Sequence, residues 1–207
     1  MDHPLTNPTR SAGLFGGSFD PPHLAHRALA EAALAQLPLD ELVWLPARQS
    51  PHKADRRPAS GADRVAMLQR ITEGEPRFSI DVRELDRDDP SFTVDTLRQL
   101  HLEQPGTRWW LVLGQDQYAR FDTWHDWREI LTLAGLAVAA RDGDAVRAAP
   151  GLAGVSHALR IVEMPALPHS ATTVRTRAAA GLDVTALVGT PVARYIADHH
   201  LYRVAQA

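Results

Sequence analysis

Short apolar runs alternate with longer stretches of helical character along most of the chain. The runs at 13–15, 42–46, 78–81, 109–114, 135–140 and 161–164 are apolar, β-branched or aromatic and read as buried strands. Between and after them, 23–36, 62–72, 93–103, 127–132, 172–180 and 191–199 have helix-forming composition and suitable ends. The order is β-α-β-α-β-α-β-α-β-β-α-α. Such alternation predicts an α/β fold with a doubly wound, mostly parallel sheet and helices on both faces. Ligands of such sheets bind beyond the strand C-termini, at the switch point. Four polar segments follow predicted strands and so fall there: 16–26, 46–53, 114–124 and 169–175.

At 207 residues and 44% hydrophobic content, the chain has enough apolar surface for one sizeable core, so 1–207 is expected to form a single domain, with 1–10 as a flexible arm. No internal repeat is visible. The polar stretches 49–60 and 141–150 are expected to be mobile loops, not domain linkers, because neither separates two cores. A net charge of −3 argues against a general nucleic-acid binder but leaves room for a local basic pocket. Absence of cysteine excludes disulfides and thiolate metal sites. The first residues carry no apolar run, and the longest apolar stretch, 131–140, is too short to span a bilayer. A soluble cytoplasmic protein is the resulting expectation.

The most informative segment reads Gly16-Gly17-Ser18-Phe19-Asp20-Pro21-Pro22-His23-Leu24-Ala25-His26. A strand that empties into two glycines lets backbone approach a phosphate closely. Asp20 suits a helix N-cap and Pro21 the first helical position, which would aim free N–H groups at the same place. His23 and His26, three apart, would share a helix face and direct two imidazoles at one anion. A bare turn with solvated histidines is the plainer interpretation of glycines and histidines taken singly.

Arginine outnumbers lysine twenty-one to one, and the single lysine, Lys53, follows His52 in a loop after the second strand. Its compact, mobile charge can follow a phosphate where a planar guanidinium would impose a fixed fork. A second anion site is suggested by His169-Ser170-Ala171-Thr172-Thr173-Val174-Arg175, ahead of an alanine-rich helix that stops at Gly181. Ser170 reads as its N-cap, Thr172 and Thr173 add hydroxyls, and Arg175 adds a fork of donors. An ordinary capped helix with a surface arginine is the alternative.

The first segment resembles the GxFDPxHxxH signature of the nucleotidyltransferase superfamily, and Ser170 with Arg175 matches that superfamily's S/T-x-x-x-x-R motif. Ser18 and Ala25 stand where the superfamily often has threonine and glycine, both small replacements. Arg83-Glu84-Leu85, Pro90-Ser91-Phe92-Thr93 with Thr96-Leu97, Gly114-Gln115-Asp116 with Phe121, Thr123 and Trp124, and Leu201-Tyr202-Arg203 narrow the likeness to bacterial nicotinate-nucleotide adenylyltransferases. The likeness runs from residue 14 almost to the end and implies a Rossmann-like fold. It implies transfer of AMP from ATP to nicotinate mononucleotide, with release of pyrophosphate, no covalent intermediate and Mg2+ arriving with ATP.

On that resemblance the catalytic set is His23, His26, Lys53 and Arg175. Gly16, Gly17, Ser18, Phe19, His52, Ser170, Thr172 and Thr173 would hold ATP and its phosphates, and Thr93, Gly114, Asp116 and Trp124 the mononucleotide. No residue is assigned to a metal. Trp124 offers a rigid ring for stacking and Thr93 a donor for a carboxylate, whereas Trp109 and Trp110, inside a strand, read as core. His125, His199 and His200 match no motif and read as surface. The expected partners are the two nucleotides, without nucleic acid or membrane, and a homo-oligomer is left open. Nicotinamide mononucleotide as acceptor and a non-catalytic nucleotide sensor remain alternatives. A dinucleotide-dependent oxidoreductase is disfavoured, because the first strand does not lead into G-x-G-x-x-G.

Overall fold

A computed structural model describes residues 10–48, 59–87, 91–141 and 145–203. Six strands form one sheet: β1 (Arg10–Gly17), β2 (Glu41–Pro46), β3 (Phe78–Ile80), β4 (Thr107–Leu113), β5 (Ala134–Arg141) and β6 (Leu159–Met164). Their spatial order is β3-β2-β1-β4-β5-β6, and every neighbouring pair is parallel. Direction of winding therefore reverses between β1 and β4, which sit side by side with Leu14 opposite Leu111. All six strands lie where the apolar runs predicted them. No antiparallel edge is present among them, so the sheet is parallel throughout.

Successive strand residues face opposite sides, which divides the interior into two layers. Phe15, Trp44, Trp110 and Val112 face α1 (Leu24–Gln36), α2 (Gly61–Thr72), α7 (Ala171–Ala179) and α9 (Thr190–Asp198). Leu14, Val43, Trp109 and Leu111 face α4 (Thr93–Glu103) and α6 (Trp127–Leu133). Both tryptophans of β4 are thus core residues, as expected. Three single-turn helices were not foreseen: α3 (Arg83–Asp86), α5 (Gln115–Tyr118) and α8 (Thr185–Val188). They are too short for a 3.6-residue apolar repeat to show in the sequence.

The starts of α2 and α7 follow their residues, and that of α1 does not. Ser60 and Ser170 cap α2 and α7 by accepting from the Asp63 and Thr173 amides at 3.0 and 3.1 Å. Gly181, at φ +69, takes the left-handed turn just past the end of α7. At α1 the N-cap position is His23, and the helix begins at Leu24, so Asp20 is not the cap and Pro21 is not the first helical residue. The Asp20 carboxylate is engaged elsewhere, by the Ala59 amide and the Tyr202 hydroxyl. Tertiary partners have outcompeted the local cap. Among the described residues, no helix is long and apolar enough to cross a membrane.

Candidate active site

The switch point is built first by the loop that leaves β1. A Cβ on Gly16 would meet nothing within 4 Å, so this residue opens onto free space beyond the strand. A Cβ on Gly17 would lie 3.0 Å from the Phe19 ring, so glycine there allows Phe19 to fold back beneath the loop. Phe19 is itself in the left-handed region, at φ +44, and its ring packs into the core against Phe15 and Trp44 at centroid distances of 5.4 and 5.3 Å. Its ring therefore faces the core and not the space beyond the strand. Burying the ring supplies the apolar contact that offsets the unfavourable φ.

His23 and His26 come together as their spacing predicts, with rings stacked at 3.6 Å between centroids and 21° between planes. The His23 amide donates to His26 Nδ1 at 3.2 Å, which leaves Nε2 as the protonated nitrogen of a neutral His26 ring. Phe15 and Phe19 meet that ring edge-on and set its tilt. His23 is only 7% exposed. Burial, with the charge of nearby His169 added, lowers its pKa to about 4. The site without ligand therefore presents a neutral imidazole at physiological pH, and an arriving phosphate would favour its proton.

The second motif meets the first through Arg175. From α7 its Nη1 donates to the carbonyl of Asp20 at 2.6 Å, across 155 residues of sequence, and its Nη2 donates to Thr172 Oγ1 at 3.0 Å. The Ser170 hydroxyl caps the helix and shares a hydrogen bond of 2.9 Å with Thr173 Oγ1. Asp20 is the common anchor. Its Oδ1 accepts from the Ala59 amide at 3.0 Å and from the Tyr202 hydroxyl at 2.8 Å.

Arg64 went unnoticed in the sequence. It is 3% exposed and donates from Nη1 to the Ser18 and Ala47 carbonyls at 2.8 and 2.6 Å, joining the ends of β1 and β2. Burial lowers its pKa, while Asp20 and Tyr202 act in the opposite direction. A signal was available: Arg64 shares the buried face of α2 with Met67, Leu68 and Ile71, and an arginine on an apolar face needs buried acceptors.

The loops after β4 and before α4 form the other side. Gly114, between β4 and α5, would place a Cβ within 4 Å of nothing, and Asp116 is exposed on the first turn of α5. Trp124 is half-buried against Phe121, at 5.3 Å and 34°. Thr93 opens α4, whose first turn has no side-chain cap. Phe92 packs on His125 at 4.3 Å, which brings the start of α4 beside the Trp124 segment. His125 is exposed, as expected, yet it joins these loops. Behind them Glu84 is buried and accepts from Thr96 Oγ1 at 2.8 Å. Burial raises its pKa and the Thr96 bond opposes the rise. His52 and Lys53 lie outside the described residues. Among the described residues, no three His, Asp or Glu side chains are grouped to hold a metal ion.

Residues 14–177 match the cytidylyltransferase-like family. The chain is 44% identical over 200 residues to a probable nicotinate-nucleotide adenylyltransferase of Methylibium petroleiphilum, covering 95% of this chain and 94% of the relative. It is 47% identical over 195 residues to one of Albidiferax ferrireducens, covering 93% and 98%. Among solved structures it resembles a Plasmodium falciparum nicotinic acid mononucleotide adenylyltransferase complexed with NaAD, with a TM-score of 0.75 at 17% identity over 93% of this chain and 97% of that one. At that identity the likeness concerns the fold.

Proposed function

The chain belongs to the cytidylyltransferase-like family and, within it, to the nicotinate-nucleotide adenylyltransferases, and from this premise we propose how its residues carry out the reaction. It transfers AMP from ATP to nicotinate mononucleotide, giving nicotinate adenine dinucleotide and pyrophosphate, a step of NAD biosynthesis. The observation that carries the site assignment is the 2.6 Å bond from Arg175 to the Asp20 carbonyl, which joins two anion-binding motifs at the switch point.

An oxygen of the mononucleotide 5′-phosphate attacks the α-phosphorus of ATP. The new P–O bond forms as the bond to the β-phosphate oxygen breaks, and pyrophosphate leaves with that electron pair. The attacking oxygen is already anionic near neutral pH, so no base is needed, and catalysis consists of alignment and charge stabilisation. The Gly16, Gly17 and Ser18 backbone cradles phosphate. His26 donates from Nε2 to the reacting phosphoryl group, and His23 takes up a proton as the triphosphate enters. Ser170, Thr172, Thr173 and Arg175, with His52 and Lys53, hold the departing pyrophosphate.

On the acceptor side Trp124 stacks on the pyridine ring and Asp116 accepts from ribose hydroxyls. The uncapped first turn of α4, with Thr93, favours a carboxylate through its free amides and the helix dipole. This supports the acid over the amide as acceptor. A Mg2+ ion carried by triphosphate oxygens and water suits a donor set lacking a cluster of carboxylates and imidazoles among the described residues, and would supply charge neutralisation on the phosphates.

The test offers purified protein ATP and Mg2+ with either nicotinate or nicotinamide mononucleotide, and quantifies dinucleotide and pyrophosphate together. Stoichiometric products with strong preference for the acid are expected. Product from neither acceptor would overturn the reading.

A further inference from the structure

We infer that Arg64 is a positioning residue for the triphosphate: its guanidinium turns the peptide between Ser18 and Phe19 so that phosphate meets the N–H of that peptide and not its carbonyl. The inference rests on the adenylyltransfer reading for its kinetic consequences. Its structural basis is independent of that reading.

Arg64 is 3% exposed on the buried face of α2, and three main-chain carbonyls accept from it. Nη1 donates to Ser18 at 2.8 Å and to Ala47 at 2.6 Å, and Nη2 donates to Arg48 at 3.3 Å. A buried guanidinium that gave up one of these acceptors would lose a charge-assisted bond that water does not replace. The Ser18 carbonyl is thereby fixed toward α2. In a trans peptide the N–H of the next residue points the opposite way, so the Phe19 amide is directed away from Arg64. It donates to no acceptor among the described residues, although Phe19 is only 2% exposed. An orphaned amide in a buried residue calls for an acceptor, and this one lies in the phosphate-handling loop.

The left-handed backbone of Phe19, at φ +44, follows from this orientation. A half-turn of the Ser18–Phe19 peptide plane would return φ to the negative region that any residue adopts. It would leave both Cα atoms, and with them the buried Phe19 ring, nearly in place. Packing of the ring therefore does not choose between the two orientations, and the bond to Arg64 does. Without the guanidinium the peptide would relax, and the Ser18 carbonyl would turn to where the N–H now points. A carbonyl oxygen there repels phosphate where an amide attracts it.

The first measurement uses the isotope-labelled wild-type chain, titrated with ATP and Mg2+ without acceptor and followed through its amide resonances. The Phe19 N–H should move downfield as it gains a phosphate oxygen; an unmoved resonance at saturation would overturn the inference. Arg64→Met, in the full chain, keeps an unbranched stem and removes the donors. Its kcat/KM for ATP should fall about tenfold or more, the effect of one hydrogen bond to a charged group, while KM for nicotinate mononucleotide stays as in wild type. The downfield movement of Phe19 should be lost. Arg64→Lys keeps the buried charge but ends one bond short of Nη1, so it should show the same selective losses and serves alone if the methionine variant does not fold. Wild-type kcat/KM for ATP in either folded variant, a Phe19 response left intact, or equal weakening toward both substrates would each overturn the role. A wild-type protein that makes no dinucleotide would sink the adenylyltransfer reading and leave the Phe19 titration, which needs no turnover, to decide on Arg64.

Discussion

Acidification below pH 6.5 should destabilise the fold through His23, and replacing this residue by asparagine should remove that part of the pH dependence. His23 protonates near 6.5 in an unfolded chain and near 4 in the folded one, held down by burial and then by His169. A lowered folded pKa means that the unfolded state binds the proton first. Above pH 6.5 both states are neutral and nothing is lost. Between 6.5 and 4 stability falls by about 1.4 kcal/mol per pH unit, a total of about 3 kcal/mol and about 2 kcal/mol by pH 5. Asparagine suits the N-cap position that His23 occupies, so the variant should fold, with an offset in stability that does not vary with pH. Urea denaturation of both proteins at intervals from pH 7.5 to 5 isolates the effect as the difference between them. A wild-type minus variant difference that stays flat across this window would refute the burial of an uncharged imidazole at the site.

His26→Ala should lower kcat about a hundredfold or more while far-UV circular dichroism and Tm stay near wild type, because the ring contributes a donor at the reacting phosphoryl group; near-normal turnover would remove it from catalysis. Trp124→Ala should raise both KM and Kd for nicotinate mononucleotide about tenfold with little change in KM for ATP, a loss of stacking on one substrate only. Equal values in wild type and variant would place that ring outside the site. Gly135→Ala should cost about 1–3 kcal/mol, since its Cβ would lie 2.6 Å from the Trp110 ring, and thermal or urea denaturation measures the loss directly. That ring has little room to retreat, being 3% exposed with the Arg108 guanidinium 5.0 Å from its centroid.

What the sequence determined by itself was everything carried by local pattern. Six apolar runs, separated by helical segments, specified a mostly parallel α/β sheet, because strands covered by helices on both faces must be apolar almost throughout. Ser170 declared itself a cap and Gly181 a stop, since both act on backbone within a few residues. The spacing of His23 and His26 already implied a shared face on one helical turn. The tertiary structure alone decided which partners the polar groups took. Asp20 is a sound cap by local rules, yet it bonds to Ala59 and Tyr202, because a buried carboxylate gains more from donors fixed around it than from one amide at a helix start. Arg64 and Arg175 satisfy carbonyls brought near them by sheet order, and no periodicity records such a pairing. Apolar burial needs only the right kind of residue on the right face, so it is written in short-range pattern; a hydrogen bond needs one particular atom at about 2.8 Å, and that is settled only when distant segments have been folded together.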